Sequence, residues 1–152
     1  MAFLAYLCSM KFCFPETELR QESREDQDWV WDPLRKKWLV LQPEEYVRQQ
    51  LIQYLIQHKG IAPALIGVEK AIEYRGIAKR LDALVFDNAG KPLVLIECKA
   101  PSVPLSQDTL HQIARYNVTI GAPHLLLTNG VSLLFFSQDK AGKYQFQPSG
   151  WL

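Results

Sequence analysis

The chain of 152 residues has little of what marks several large classes of protein. Its three cysteines form no CxxC pair and leave an odd number, which argues against a disulfide framework and a zinc site. No apolar run approaches the ~20 residues that a membrane helix needs. The formal net charge is only +1, so any contact with nucleic acid must come from a local patch. The cysteine usage fits a reducing cytoplasm best. Because 48% of the residues are hydrophobic, we expect one domain with a substantial core.

The sequence also lacks several catalytic signatures. It has no Gly-rich loop of the kind that binds phosphates, and no serine or cysteine stands in a nucleophile motif. His111 and His124 have no partners at the spacing of a metal site or a catalytic triad. The case for chemistry therefore depends on acidic side chains in the middle of the chain.

Residues 80–99, RLDALVFDNAGKPLVLIECK, predict a β-hairpin. Two apolar runs flank a cluster of turn-forming residues. If Phe86 faces Leu93 across the turn, continuing this register places Asp82 opposite Glu97. The hairpin would then bring two carboxylates together on neighbouring strands.

The side chains next to this pair suggest a metal site. Because side chains alternate along a strand, Glu97 and Lys99 point to one face and Cys98 to the other. Two carboxylates a strand apart repel each other, a divalent cation relieves that repulsion, and Mg²⁺ prefers oxygen ligands. Lys99 beside the metal could position a water or stabilise charge on a phosphate. The alternative is a structural ion-pair network in which Lys99 neutralises one carboxylate and Arg80 the other.

Residues 43–58 have the pattern of an amphipathic helix, with apolar side chains at helical spacing. Glu44 lies on the same stripe as Arg48 and the apolar residues that face the sheet, so we expect it to reach the hairpin site. Glu45 lies nearer the margin of that stripe. We interpret Glu45 as a residue that favours the positive end of the helix dipole.

The rest of the chain predicts alternating helices and strands. On a second helix, Gln112 and Tyr116 are four residues apart and share a face. The further predicted elements are a strand over 64–74, that second helix over 107–120, a hairpin over 124–136 and a short strand over 144–146.

Two expectations concern the N-terminal part. Residues 1–28 predict a polar, flexible lead-in, followed by a single domain over 29–152. The apolar start is too short, and has no leading positive charge, for a signal peptide; Met10 is an alternative start, with residues 1–9 disordered or absent. Residues 29–41 predict a small tryptophan-rich hairpin that covers the core, or alternatively a basic, aromatic contact with nucleic acid.

Together these motifs resemble the PD-(D/E)xK nuclease superfamily, specifically the N-terminal nuclease domain of type I restriction enzyme R subunits in a short stand-alone bacterial form. The resemblance spans about residues 31–136. It implies an α/β (α+β), restriction-endonuclease-like core, in which helices flank a central mixed sheet of four to five strands, in the order αβββαβ(β). The motifs that carry it are PEEYVRQ (43–49), KRLDALVFD (79–87), GKPLVLIECKAP (90–101), QIARYN (112–117) and LTNG (127–130).

The resemblance implies a Mg²⁺-dependent deoxyribonuclease of the restriction-modification type, with Mn²⁺ as a substitute. Asp82 matches the metal-binding aspartate, and Glu97 with Lys99 matches the ExK half of the motif. Asp82 and Glu97 would hold the metal together with the main-chain carbonyl at Cys98. Glu44 matches the helix acid and would act as an outer ligand or orient one, with Glu45 as the alternative assignment.

Two further features bear on the expected nuclease activity: the predicted helix over 107–120 and the absence of a helicase motor sequence. Gln112 and Tyr116 match a QxxxY signature, which implies that they contact DNA or brace the metal ligands. The chain departs from the family where Leu81, rather than proline, precedes Asp82, and it has no helicase motor sequence. The resemblance therefore implies DNA as the partner, a motor or specificity subunit supplied in trans, and a homodimer if both strands are cut.

Two other function classes stay open from the sequence. One is a non-catalytic or partner-dependent module for DNA binding or assembly in a restriction or repair system, which the near-neutral charge favours. The other is a nuclease that acts on RNA or on another phosphodiester.

Overall fold

The computed structural model describes Leu7 and residues 9–149. Two long helices are α1 (Pro43–Gln57) and α2 (Gln107–Ile120), and a short 3₁₀ turn covers Pro63–Leu65. The strands are β1 (Gln21–Arg24), β2 (Gln27–Asp32), β3 (Lys37–Val40), β4 (Ile66–Tyr74), β5 (Ile77–Phe86), β6 (Pro92–Cys98), β7 (His124–Thr128), β8 (Leu133–Gln138) and β9 (Tyr144–Phe146).

The strands form two sheets. The larger has the order β4-β5-β6-β7-β8-β9, and the smaller has the order β1-β2-β3. The larger sheet is mixed, because β6 and β7 are parallel and α2 makes the crossover between them. The predicted α+β architecture with a mixed central sheet is confirmed, but the sheet has six strands rather than four to five, since β9 also pairs, with β8. In the part of the chain that the structure describes, neither helix is long and apolar enough to cross a bilayer.

The hairpin of β5 and β6 has the predicted register over most of its length. Ala83 pairs with Ile96, as expected. Near the turn, Phe86 pairs with Pro92 instead of Leu93, because an irregularity after Val85 shifts the pairing by one residue. The shift lies at the turn, so it leaves the register at the other end of the hairpin unchanged.

The two helices cover opposite faces of the large sheet. This follows from the alternation of side chains along β6, where Ile96 belongs to one hydrophobic layer and Leu95 to the other. The layer under α1 includes Val47, Leu51, Leu55, Ala83, Val85, Ile96 and Cys98. The layer under α2 includes Leu81, Leu84, Leu95, Ile113, Leu125 and Leu127.

The predicted lead-in over 1–28 is part of the fold in much of its length. Its second half contains β1 and the start of β2. Phe12 is buried, and its ring centroid lies 5.7 Å from that of Tyr46 on α1. Leu7 is also buried in the core, which disagrees with disorder at this position. Residues 1–6 and 8 of the segment before the predicted Met10 start lie outside the described part of the chain.

The tryptophan-rich hairpin predicted over 29–41 forms β2 and β3. Val30 points inward and is fully buried. Trp31 and Trp38 are paired neighbours on the outer face, and the Arg20 guanidinium lies 5.2 Å from each of their ring centroids. The rings thus already have a cationic partner within the chain, which favours the structural interpretation of this hairpin over a contact with nucleic acid.

Replacing Gly130 by alanine tests whether the N-terminal segment packs on the domain. Gly130 has a φ of +87°, and a Cβ added there would lie 2.6 Å from the Phe12 ring. We expect Gly130→Ala to lower the free energy of unfolding by about 1–2 kcal/mol through the left-handed backbone, and by a further ~1–3 kcal/mol through the collision. Urea unfolding followed by tryptophan fluorescence measures the loss.

Gly142→Ala is the matched control. Gly142 also has a positive φ, +78°, but no described atom lies within 4 Å of an added Cβ. Its substitution therefore carries the backbone cost alone. Equal losses for the two variants would contradict the packing of Phe12 on Gly130.

Candidate active site

The carboxylates of Asp82 and Glu97 lie at the end of the β5–β6 hairpin that is remote from its turn. The paired residues of the two strands run up to Ala83 and Ile96. Just beyond this pair, the Cys98 N–H donates to Asp82 Oδ2 at 2.7 Å. A side-chain carboxylate thus takes the place of a main-chain acceptor between the strands, and this hydrogen bond fixes its position.

Asp82 is surrounded by more negative than positive charge. It is only 9% exposed. Burial and the charge of Glu97 raise the pKa of Asp82 to about 7, although the Cys98 amide and the Arg48 guanidinium act in the opposite direction; the charge of Glu44 raises the pKa further. Arg48 Nη1 donates to Asp82 Oδ1 at 3.3 Å. One arginine therefore compensates the charge of Asp82 only in part.

Lys99 lies beside Glu97, with its Nζ 2.9 Å from Glu97 Oε1. Cys98 between them is fully buried in the layer under α1, so the expected alternation of these three side chains is confirmed. Burial lowers the pKa of Lys99, but the hydrogen bond and charge of Glu97 raise it more, as do the charges of Glu44 and Asp82, and the net shift is upward. Lys99 is therefore held as a cation.

The two glutamates at the start of α1 have different surroundings. Glu44 is exposed, yet its charge acts on both Asp82 and Lys99. Glu45 is 7% exposed and makes an ion pair with Arg48 Nη2. The interpretation of Glu45 as a residue that merely favours the helix dipole is wrong, because its carboxylate is buried among cations.

Glu45 belongs to a chain of alternating acids and arginines. Arg35 lies 3.3 Å from Glu45 and 2.6 Å from Glu69, and its Nε lies 2.5 Å from Asp32. Arg48 then connects Glu45 and Glu69 with Asp82. This ionic chain, formed by Asp32, Arg35, Glu45, Glu69, Arg48 and Asp82, links the small sheet, α1, β4 and β5.

Sequence reasoning missed most of this ionic chain. Arg35 lies at the tip of the hairpin predicted over 29–41, yet its side chain is only 12% exposed. The expected partner of the second site carboxylate, Arg80, instead lies 3.4 Å from Glu69. The available signal was spacing: Asp32 with Arg35, and Glu45 with Arg48, are both three residues apart.

Tyr116, one of the two predicted DNA-binding residues of α2, packs against the β4–β5 hairpin. The Tyr116 ring packs edge-on against Tyr74, with centroids 5.6 Å apart, and Lys79 Nζ lies 5.1 Å from its centroid. Tyr116 therefore contacts the far end of β4 and β5. Gln112 is partly exposed and makes no side-chain hydrogen bond within the described residues.

The residues present can be compared with the needs of Mg²⁺. Among the described residues, no three His, Cys, Asp or Glu side chains are grouped closely enough to hold a metal ion. Mg²⁺, however, commonly takes one or two carboxylates and completes its shell with water and phosphate oxygens. Asp82 and Glu97 fit it in donor type and in charge, because a divalent cation would relieve the repulsion that raises the pKa of Asp82. Cys98 could add only its carbonyl, since its thiol is buried on the opposite face.

Asp32 should make the protein sensitive to acid. Its carboxylate is fully buried. Burial raises the pKa of Asp32, but hydrogen bonds from the Arg35 amide and side chain, the Arg35 charge and a hydrogen bond from Gln49 outweigh this, and the net shift is downward. A lowered folded-state pKa stabilises the fold above the unfolded-state value, about 3.9, and this contribution is lost as the pH falls through the folded-state value.

We therefore expect Asp32→Asn to lower the free energy of unfolding at pH 7 by roughly 1–3 kcal/mol and to flatten its fall on acidification below about pH 5. Urea titrations across pH measure both effects. Asp26→Asn, exposed in the β1–β2 turn, is the control and should keep the wild-type slope. If the free energy of unfolding of Asp32→Asn fell with pH as steeply as that of the wild type, Asp32 would not be a source of the acid sensitivity.

Comparisons with known proteins place this geometry in a family. The family model described as type I restriction enzyme R protein N terminus matches residues 43–149. No curated protein matches the chain. A solved structure from Anabaena variabilis, described as a proposed nuclease belonging to DUF820, is 14% identical, with 91% of this chain and 83% of that chain covered and a TM-score of 0.44.

The family match covers the greater part of the chain and includes α1, the β5–β6 hairpin and α2. It begins after the small sheet of β1–β3. The resemblance noted from the sequence motifs is thus confirmed at the level of the family. The chain belongs to the family of type I restriction enzyme R protein N-terminal domains, and its domain is nuclease-like.

Proposed function

We propose that the chain is a metal-dependent deoxyribonuclease that hydrolyses DNA phosphodiester bonds, with Mg²⁺ as its cofactor and Mn²⁺ as a substitute. The observation that carries the proposal is the hairpin end at which Asp82, Glu97 and Lys99 meet. Buried carboxylates in mutual repulsion, with a lysine beside them, are typical of sites where a phosphate is handled. Membership of a restriction-enzyme family supports the same reaction class.

The carboxylates have the role of binding the cation. Asp82 and Glu97 would hold it, together with the main-chain carbonyl of Cys98, and Glu44 would orient a ligand from the exposed start of α1. When bound, Mg²⁺ supplies Lewis-acid chemistry, in which it polarises the phosphate and lowers the pKa of a water. Arg48 keeps the Asp82 carboxylate in place from the buried side.

The role of Lys99 follows from its charge. Because Glu97 raises the pKa of Lys99, the ammonium group does not act as a general base. It donates hydrogen bonds instead, to the attacking water or to the phosphate oxygens on which negative charge develops. Water would add to phosphorus and lose a proton to solvent, the bond to the leaving oxygen would break and that oxygen would take a proton from solvent, and Lys99 would stabilise the transition state.

A second candidate function is a partner-dependent module that binds or assembles on DNA without cleaving it. The net charge of +1 favours this candidate, because a chain with so little positive charge attracts DNA weakly on its own. On either proposal a motor or specificity subunit supplied in trans would help to deliver the substrate.

The third alternative is a nuclease that acts on RNA. Cleavage of RNA in place of DNA would identify it.

Lys99→Ala tests the catalytic proposal. We expect metal-dependent nicking of supercoiled plasmid to fall by about 10²–10³-fold, as for loss of one charge-stabilising donor. Lys91→Ala is the matched control, because Lys91 is exposed in the turn of the same hairpin and should leave cleavage unchanged. The assay compares Mg²⁺, Mn²⁺ and chelator on plasmid and on single-stranded DNA. Equal activity of the wild type and Lys99→Ala, or activity in chelator, would contradict the proposal.

The two glutamates of α1 give a separate test. We expect Glu44→Gln to lower cleavage while it changes the free energy of unfolding by less than ~0.5 kcal/mol, since Glu44 is exposed. Glu45→Gln should lower the free energy of unfolding by roughly 3 kcal/mol, because it removes a buried acid that both Arg48 and Arg35 contact. Urea unfolding and plasmid nicking measure the two effects. A large loss of stability in Glu44→Gln would contradict the assignment of Glu44 to the active site and of Glu45 to the buried ionic chain.

A further inference from the structure

The far ends of β4 and β5 form a two-stranded ribbon that extends past the rest of the sheet. The two strands pair continuously from Ile66 and Val85 to Tyr74 and Ile77. β6, however, pairs with β5 only from Ala83 onward. Residues 70–80 therefore have one neighbouring strand each and project from the sheet edge by about 14–17 Å, at ~3.4 Å per residue.

The ribbon is strongly basic in a chain that is nearly neutral. Residues 70–80 contain four cations and one acid, Glu73, whereas the whole chain has a net charge of only +1. The side chain of Arg80 is 76% exposed, and Arg75 is exposed in the turn. The four cations are Lys70, Arg75, Lys79 and Arg80. Such a local excess of positive charge is complementary to a phosphate backbone.

The tip of the ribbon exposes an apolar side chain. Ile77 is 69% exposed and follows a tight turn in which Arg75 and Gly76 both have positive φ, +51° and +75°. A turn of this type suits the twist of two antiparallel strands, so the tip is a regular hairpin end. An exposed aliphatic side chain at the tip, next to cations, is available to contact an apolar surface of a bound partner.

Tyr116 of α2 orients the ribbon. Its ring packs against Tyr74 and lies under the Lys79 ammonium group, so one face of the ribbon leans on α2. Arg80 contacts Glu69, which in turn contacts Arg48, the partner of Asp82. The ribbon therefore has contacts with α2 and with the ionic chain that ends at Asp82.

We propose that the β4–β5 ribbon is an arm that enters the major groove of B-form duplex DNA, with its cations on the phosphates and Ile77 against the base edges. Two strands ~4.8 Å apart fit the major groove, which is about 12 Å wide. The major groove of A-form RNA is deep and narrow and excludes such an arm. The inference rests on the proposed function in that the site on the same strand acts on DNA, and it selects duplex DNA as the substrate class.

Binding of a fluorescein-labelled 20-base-pair duplex, measured by anisotropy in chelator and in the Lys99→Ala background, tests the arm without cleavage. We expect Arg75→Ala to reduce the slope of log K against log salt by about 0.9. Ile77→Ser should weaken binding severalfold without changing that slope, because it removes no charge. Lys140→Ala, exposed in the β8–β9 turn at the opposite sheet edge, is the matched control and should change neither quantity.

Three results would contradict the proposed DNA-binding arm. The first is an equal change of the salt slope in Arg75→Ala and Lys140→Ala, and the second is wild-type affinity for the duplex in Ile77→Ser. The third is that the arm variants weaken binding to duplex DNA, duplex RNA and single strands to the same extent. The cleavage assay separates the two proposals. Metal-dependent cleavage with no effect of the arm variants on binding overturns the arm alone, whereas arm-dependent binding without cleavage overturns the nuclease alone.

Discussion

The hydrogen bond from the Cys98 amide to the Asp82 carboxylate is the interaction on which the site depends. It ties the Asp82 side chain to the main chain of the neighbouring strand, at the point where the paired residues of β5 and β6 end. The carboxylate is therefore positioned by the sheet itself, which is more rigid than a loop. The same bond brings Asp82 within the field of Glu97, and their repulsion is the electrostatic feature that distinguishes this end of the hairpin.

Such a buried carboxylate needs compensation, and the ionic chain supplies part of it through Arg48. Each arginine of the chain lies between acids, so no charge is left without an opposite neighbour, which is the condition for burying ions at acceptable cost. Arg35 comes from the small sheet, which precedes the residues matched by the family. The small sheet therefore supports the position of Glu45 and Arg48, and through Arg48 that of Asp82, although it contributes no residue to the carboxylate pair.

Local signals in the sequence account for what could be predicted. The hairpin register followed from two apolar runs around a turn cluster, and α2 followed from Ser106, whose hydroxyl accepts from the Thr109 amide at 3.3 Å. The inward glutamate was predicted wrongly, because the helical stripe placed Glu44 inward and Glu45 at its margin, whereas Glu45 is buried and Glu44 is exposed. Glu45 contacts Arg48 on the same helix and also Arg35, which in turn contacts Glu69, and periodicity along one helix carries no information about these two distant partners.

Along β5, the cations that would attract a phosphate lie apart from the carboxylate of the candidate active site. On the proposed function, the strand carries cations toward the tip of the ribbon and a carboxylate at its root, about 17 Å away at ~3.4 Å per residue. A phosphate is drawn to the ribbon but repelled by Asp82 and Glu97, whose combined charge the neighbouring Lys99 and Arg48 offset only in part. A divalent cation bound between the carboxylates would reverse that repulsion. On the two proposals, DNA would be held on the ribbon with or without the metal, whereas its approach to the carboxylates would depend on the metal, because β5 carries both the ribbon and Asp82.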